Sequence, residues 1–369
     1  VRHPKSGRLF INFDREILQL MREAKCMQRI GIEVPESSKM VLLQEDKFKR
    51  YFYELLFALR EYDRVLGRVI PVIRPILKEH LDDLDHRISP GMIMLTWQSM
   101  NIDGYLHKIH TGLAKFESLV EKINDLIENR VEHNLKAISR TLLVDIKSES
   151  TFTLDQFVLM QEKVTKRKTV LMDAKNLEVE RAVDDLVTVV LSFPMDDGVR
   201  PTIAEDVIQK LRDHYSRLMY LAILNTTKNS FHTLKRRLGS SSGPLNKPFF
   251  DVNVELYVPN VSMNPTLEEI QVAINRCAIN VLKCSKRIVC WGQDRNQDIS
   301  RLNTFHSLIA QDREIVKVVL LLTGSVEGTK KQVQDFLQSF MAFQDLWGLD
   351  KQVEYKKFME TEPPPDLEA

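Results

Sequence analysis

Along most of the chain the apolar residues return every three or four positions, the repeat of one face of an α-helix. Between 48 and 66 they are Phe48, Phe52, Leu55, Leu59, Tyr62 and Leu66. That stripe predicts a helix closing near Gly67, with a break or kink forced by Pro71 and Pro75. The longest run opens near Asn101. Ile102, Leu106, Ile109, Leu113, Phe116, Val120, Ile123 and Ile127 alternate steps of four and three, and Val131, Leu135, Ile138 and Leu142 continue the seam. The consecutive fours around Ile127 and Val131 are a stutter, where a heptad seam locally unwinds. A continuous helix over 102–146 would be roughly 65 Å long at about 1.5 Å per residue, which suits a rod.

Three further helix starts carry capping boxes: Thr153-x-x-Gln156, Thr202-x-x-Glu205 and Thr266-x-x-Glu269, in which hydroxyl and carboxylate or amide satisfy orphan backbone donors. The helices they open run over 153–191, 202–238 and 266–290, the first interrupted near Lys166-Arg167-Lys168. Helices are also predicted over 299–322, 326–346 and 350–359. One segment departs from this pattern. Phe250, Val252, Val254, Leu256 and Val258 alternate with more polar neighbours, a period of two that predicts a strand. It lies between the loop Gly239–Pro244 and Pro259. A lone strand leaves backbone groups unpaired, so its expected partner is the β-branched run near Ile315–Leu320 or another chain, outside its own bundle. The expected fold class is therefore mainly α: an elongated array of stacked helical bundles with long heptad-patterned helices and one short β-strand segment near 250–258. Four stretches organise it. They are a first helical bundle over 1–97, a long-helix bundle over 98–200, a strand-bearing connector over 201–262, and a C-terminal bundle over 263–369.

Composition narrows the function classes. Apolar residues make up 43% of the 369, enough for a large core. Lys and Arg (52) nearly balance Asp and Glu (51), so general binding to nucleic acid or to a membrane surface has no electrostatic basis. No apolar run approaches membrane-spanning length. Four scattered cysteines, Cys26, Cys277, Cys284 and Cys290, suit a reducing compartment. The opening at Val1 and the proline-rich close over 362–369 lead to the expectation of a fragment of a longer polypeptide.

No candidate for catalysis survives inspection. Gly324-Ser-Val-Glu-Gly-Thr-Lys330 has the flavour of a phosphate loop, but Lys330 is displaced from the required Gly-Lys-Ser/Thr order. A break between two helices is the expected reading. Cys277, Cys284 and Cys290 fall on one predicted helix without the close Cys pair of a structural zinc site, so buried thiols are expected. His107 and His110 lie within chelating reach of each other but lack a third ligand. His80 and His86, among Asp82, Asp83 and Asp85, read as a solvated polar turn. Lys166–Lys168 and Lys235–Arg237 read as solvated basic runs, the second complementing a helix C-terminus. Trp97, Trp291 and Trp347 sit near helix boundaries, and with Tyr105 they are the candidate interface anchors, since Trp and Tyr are enriched at binding hot spots. No catalytic, cofactor-binding or metal residue is assigned.

The wording of several stretches is more specific than their periodicity. Asn12–Lys25, Gly31-Ile-Glu-Val-Pro35, Trp97–Tyr105, Ile127–Leu135, Asn225–Phe231, Phe249–Leu256, Trp291–Arg295 and Gly324–Lys330 together resemble the N-terminal tail of dynein heavy chains, in the axonemal outer-arm branch of gamma type. The resemblance covers essentially the whole chain. It implies a tail of consecutive helical bundles that binds intermediate chains and light chains, associates with other outer-arm heavy chains, and anchors the motor to the doublet microtubule of a cilium or flagellum, indirectly through a docking complex. It also implies that ATP and Mg belong to a motor ring outside this chain, with no cofactor expected here, and that neither nucleic acid nor membrane is a partner. Two other readings stay open: an independent helical adaptor, and a nucleotide-binding enzyme using Gly324–Lys330.

Overall fold

A computed structural model describes residues 9–10, 16–96, 99, 101–147, 149–195, 198–239, 247–293 and 302–361. Trp97, most of the loop after Gly239, Asp294, Arg295 and the prolines at 363–365 lie outside these residues. The chain forms two compact units, one of Val1–His133 with Glu178–Tyr215 and one of Asn134–Leu177 with Ser216–Ala369. Both are mainly helical. They interleave in sequence.

In the first unit, α1 (Glu16–Arg29), α2 (Glu36–Leu43), α3 (Glu45–Gly67), α4 (Lys78–Ile93) and α5 (Ile102–Leu126) surround a core in which α5 packs on α3 and α4. The turn carrying Pro71 and Pro75 separates α3 from α4 and buries Val69, Ile73, Ile76 and Leu77. The face of α3 is rotated from the expected stripe. It buries Phe48, Tyr51, Leu55, Ala58, Tyr62 and Val65, leaving Phe52, Leu59 and Leu66 only half-buried. Two phenols explain the rotation: Tyr51 donates to Asp103 on α5 at 3.0 Å and Tyr62 to Asp85 on α4 at 2.5 Å. The polar stretch around His80 is no solvated turn, because it lies within α4. His80 is buried, and its Nε2–H donates to the Val190 carbonyl at 3.3 Å beside the Phe193 ring.

The seam from Ile102 to Ile138 is buried throughout, but the helical run ends earlier than expected. A π-helical turn at Ile127–Glu132 follows α5, then α6 (His133–Ser139), and Leu142 is exposed. The π turn is where the stutter falls. Three steps of four from Ile123 to Leu135 span twelve residues, whereas three α-helical turns take about eleven. A π turn holds one extra residue, and Ile127, Val131 and Leu135 are all buried. Arg130, within that turn, donates to Glu178 and Asp185 at 2.8 and 2.5 Å.

α7 (Leu154–Ser192) and α8 (Glu205–Gly239) are the longest helices, and α7 runs unbroken through Lys166–Lys168. The expected interruption was a polar stretch of buried face: Gln161, Thr165, Thr169 and Asn176 occupy buried positions alongside Met172. Of these, Gln161, Thr165 and Asn176 serve irregular backbone. Gln161 Oε1 accepts from the Asp145 amide at 3.1 Å and its Nε2 donates to the Asp145 carbonyl at 2.9 Å, while Thr165 donates to the Leu143 carbonyl at 3.0 Å. From α8, Ser230 accepts from the Leu143 amide at 2.9 Å and Thr226 donates to the Ile138 carbonyl at 2.5 Å. Leu143 and Val144 are thereby buried in a segment that is not helical.

The remainder of the second unit comprises β1 (Asn253–Tyr257), β2 (Asn260–Asn264), α9 (Leu267–Lys283), α10 (His306–Ala310), α11 (Arg313–Ser339), α12 (Gln344–Gly348) and α13 (Lys351–Glu360). The expected strand divides and does not pair with Ile315–Leu320: Phe250 bridges in parallel to Phe152, just ahead of α7, and Asn253–Tyr257 pairs locally. The latter forms an antiparallel hairpin with β2, Val254 opposite Met263 and Leu256 opposite Val261, while Ile315 and Val318 are buried in α11. Asn260–Asn264 carries only Val261 and Met263 as apolar positions, too brief an alternation to signal a strand. The capping boxes divide. Thr266 forms the full box with Glu269, and Thr153 accepts from the Gln156 amide at 3.5 Å. Thr202 instead donates its amide and hydroxyl to Glu79, so α8 opens at Glu205. The helix expected over 266–290 stops at Lys283 and tightens into a 3-10 turn at Cys284–Arg287, and the one over 299–322 is split before Asp312, whose carboxylate accepts from the Glu314 amide and starts α11.

Ser230→Ala strands the buried Leu143 amide and is expected to lower stability by about 1–3 kcal/mol. Thr227→Val, which removes only a bond to its own helix at the Ile223 carbonyl, should stay within about 1 kcal/mol; urea unfolding of both variants compares them. His80 provides a pH test. Burial lowers its pKa from 6.5, so as pH falls through that value the unfolded chain takes up a proton that the folded chain resists, and stability falls. His80→Gln keeps a donor for Val190 and should flatten the change in unfolding midpoint between about pH 7.5 and 5.5.

Candidate docking surfaces

Tyr105, Trp291 and Trp347 each make a hydrogen bond within the fold and each keep part of their surface exposed. Tyr105 is half-buried against Tyr51, Leu55, Ile102 and Leu106, and its hydroxyl donates to the Ile88 carbonyl at 2.9 Å. Burial pushes its phenol up to about 12. Gly91 permits this position, since a Cβ there would collide with the Tyr105 hydroxyl oxygen. Trp291 donates Nε1–H to Asn176 Oδ1 at 2.8 Å, and Asn176 Nδ2 donates to the Val289 carbonyl at 2.9 Å. One buried amide thus ties the Trp291 turn to α7. Trp347 donates to the Pro259 carbonyl at 3.0 Å, joining α12 to the hairpin.

Gly324–Lys330 is not a break between helices, because it lies mid-way along α11. Ser325 and Thr329 donate back to the Leu321 and Ser325 carbonyls, and Lys330 Nζ reaches Gln271 at 3.1 Å and Glu268 at 3.4 Å on α9. With its amides spent in helical bonds, the segment forms no phosphate cradle. Cys277 and Cys284 are buried free thiols, pushed by burial up to about 12 and about 11, and Thr169 donates to Cys284 Sγ at 3.0 Å. Cys290 lies beyond the helix, in a segment bridged at Val289–Thr304. His110 stacks obliquely on Phe57. Among the described residues no three His, Cys, Asp or Glu side chains gather as a metal site, and no helix is long and apolar enough to cross a membrane.

Two surfaces of the second unit stand open. A groove of about 790 Å³ runs between the hairpin, α9 and α11, lined by Phe249, Val254, Met263, Ile270 and Phe336 among others. Val254, on its lining, is about half exposed, and Leu256, Phe343, Leu346, Tyr355 and Phe358 are further exposed apolar residues of this unit. The second surface is basic and lies at the ends of α6 and α8, where Arg140, His232, Lys235 and Arg236 line a groove of about 970 Å³. Arg237, the third residue of the basic run on α8, is not solvated as expected. It is buried, donating to the Ser150 and Lys247 carbonyls with its guanidinium over Phe249.

Residues 1–105 match the family described as dynein heavy chain, N-terminal region 1. Over 98% of its length the chain is 48% identical to the dynein gamma chain of the flagellar outer arm of Chlamydomonas reinhardtii. The chain carries the N-terminal region of a dynein heavy chain. It is also 26% identical to human dynein axonemal heavy chain 8 and 24% identical to mouse dynein axonemal heavy chain 5, each over 98% of the chain. This heavy-chain segment spans 8% of the gamma chain and 10% of each of the other two.

Gly91→Ala should displace the Tyr105 ring and cost about 1–3 kcal/mol in chemical unfolding. If the phenol's contact with Gly91 is the cause, adding Tyr105→Leu to Gly91→Ala costs less than the sum of the two single changes.

Proposed function

We propose that this segment is a non-catalytic scaffold in the tail of an axonemal outer-arm dynein heavy chain. It holds intermediate chains, light chains and neighbouring heavy chains together and anchors the motor, through a docking complex, to the doublet microtubule of a cilium or flagellum. The observation that carries the reading is the 48% identity to a flagellar outer-arm gamma chain along 98% of the chain. The fold supports it. Long helices supply extended surface, and the residues that first suggested a phosphate loop are engaged within α11 and with α9. ATP and Mg then act in the motor ring outside this segment, and neither nucleic acid nor membrane is a partner.

The test is co-expression of the full chain with outer-arm intermediate and light chains, followed by gradient sedimentation and an ATPase assay. Co-migration with an intermediate chain and no turnover above buffer are expected. ATP hydrolysis that survives repurification and is abolished by Lys330→Ala would overturn the reading, as would sedimentation apart from every outer-arm subunit.

A further inference from the structure

The groove at the ends of α6 and α8 is lined by Arg140, His232, Lys235 and Arg236 and by no carboxylate. Elsewhere many cations are paired: Arg64 and Arg68 with Glu117, Arg87 with Asp83, Arg212 with Asp184, and Lys228 with Glu314. Arg237 is committed to backbone carbonyls. Arg140, Lys235 and Arg236 make no ion pair or side-chain hydrogen bond among the described residues, and neither does His232. No carboxylate lines the groove, and the sequence from Ser240 to Phe250 contains no acidic residue to supply one.

Two helix C-termini account for part of this clustering, since each carries partial negative charge. They do not account for its convergence. A cation just past α6 and two on α8 share one concavity with Leu142, an apolar side chain that is 39% exposed although it continues the buried seam in sequence. Three unpaired cations around an exposed leucine, on a chain whose formal net charge is only +1, complement a segment that places carboxylates on either side of an apolar residue. Such complementarity steers encounter and selects partners.

We propose that this groove is a docking site for an acidic peptide segment of a partner protein, with carboxylates on Arg140, Lys235 and Arg236 and an apolar side chain seated on Leu142. The inference deepens the scaffold reading and rests on it for the partner being a protein.

The full chain is titrated against a fluorescein-labelled peptide of glutamates flanking a central leucine, read by fluorescence anisotropy from about 50 mM to about 300 mM salt. Saturable binding that weakens with salt is expected. Combined Arg140→Glu, Lys235→Glu and Arg236→Glu should weaken it at least about tenfold, while Arg60→Glu, Lys108→Glu and Lys163→Glu, which change the net charge equally, should leave it within about threefold. Leu142→Ala should weaken binding, whereas substituting the peptide's leucine by glutamate should abolish the difference between the unsubstituted chain and the Leu142→Ala variant. Helical circular dichroism of each variant confirms that it is folded. The proposal is overturned by absence of binding at low salt, by equal losses in the two charge-reversed chains, or by an oligonucleotide or anionic vesicle that competes as well as the peptide. Any of these, with co-migration on intermediate chains retained, removes the groove assignment and leaves the scaffold reading standing.

Discussion

Buried backbone that is not helical must find hydrogen-bond partners away from water, because each orphaned group costs about 1–3 kcal/mol. The second unit is organised around that demand. The segment after α6 places Leu143 and Val144 in the core, and the long helices spend polar side chains on it, Gln161 and Thr165 from α7 and Ser230 from α8, while Thr226 caps the Ile138 carbonyl in the last turn of α6. Asn176 serves the Val289 turn in the same way, and Arg237 the carbonyls of Ser150 and Lys247. The helices are therefore both walls of the core and the source of partners for the chain that crosses it.

That dual use explains what was legible in the sequence. The apolar seam from Ile102 to Ile138 reads correctly because every position on it is an aliphatic or Phe buried against other helices. The stutter marked the site of the π turn, though not its kind. On α7 the same reasoning fails, since Gln161, Thr165, Thr169 and Asn176 occupy buried positions and the apolar pattern lapses where the helix continues. Four-residue spacing of Thr, Ser, Gln and Asn was the available signal. On α3, Tyr51 and Tyr62 turn the face toward Asp103 and Asp85, a preference that only the neighbouring helices reveal.

Candidate surfaces were less legible than the fold. Aromatic residues near helix ends were visible in sequence, but not the internal bonds that orient them: Tyr105, Trp291 and Trp347 are each tied through a hydroxyl or indole N–H. The basic run Lys235–Arg237 was visible, but not its division, with one residue buried under Phe249 and two facing a groove shared with Arg140. That grouping arises from tertiary structure: Arg140 and Lys235 are far apart in sequence and meet only because α6 and α8 end side by side.

The π turn at Ile127–Glu132 also bears on how this region tolerates changes in length. Loss of one residue from a regular α-helix swings everything downstream by about 100° around the axis, which would carry buried side chains to the outside. Within the π turn a one-residue deletion instead removes the surplus and restores ordinary α-helical winding, leaving Leu135 and Ile138 pointing where they already do. Ile127–Glu132 is therefore the place in this helical run where one residue can be lost without turning the positions that follow it.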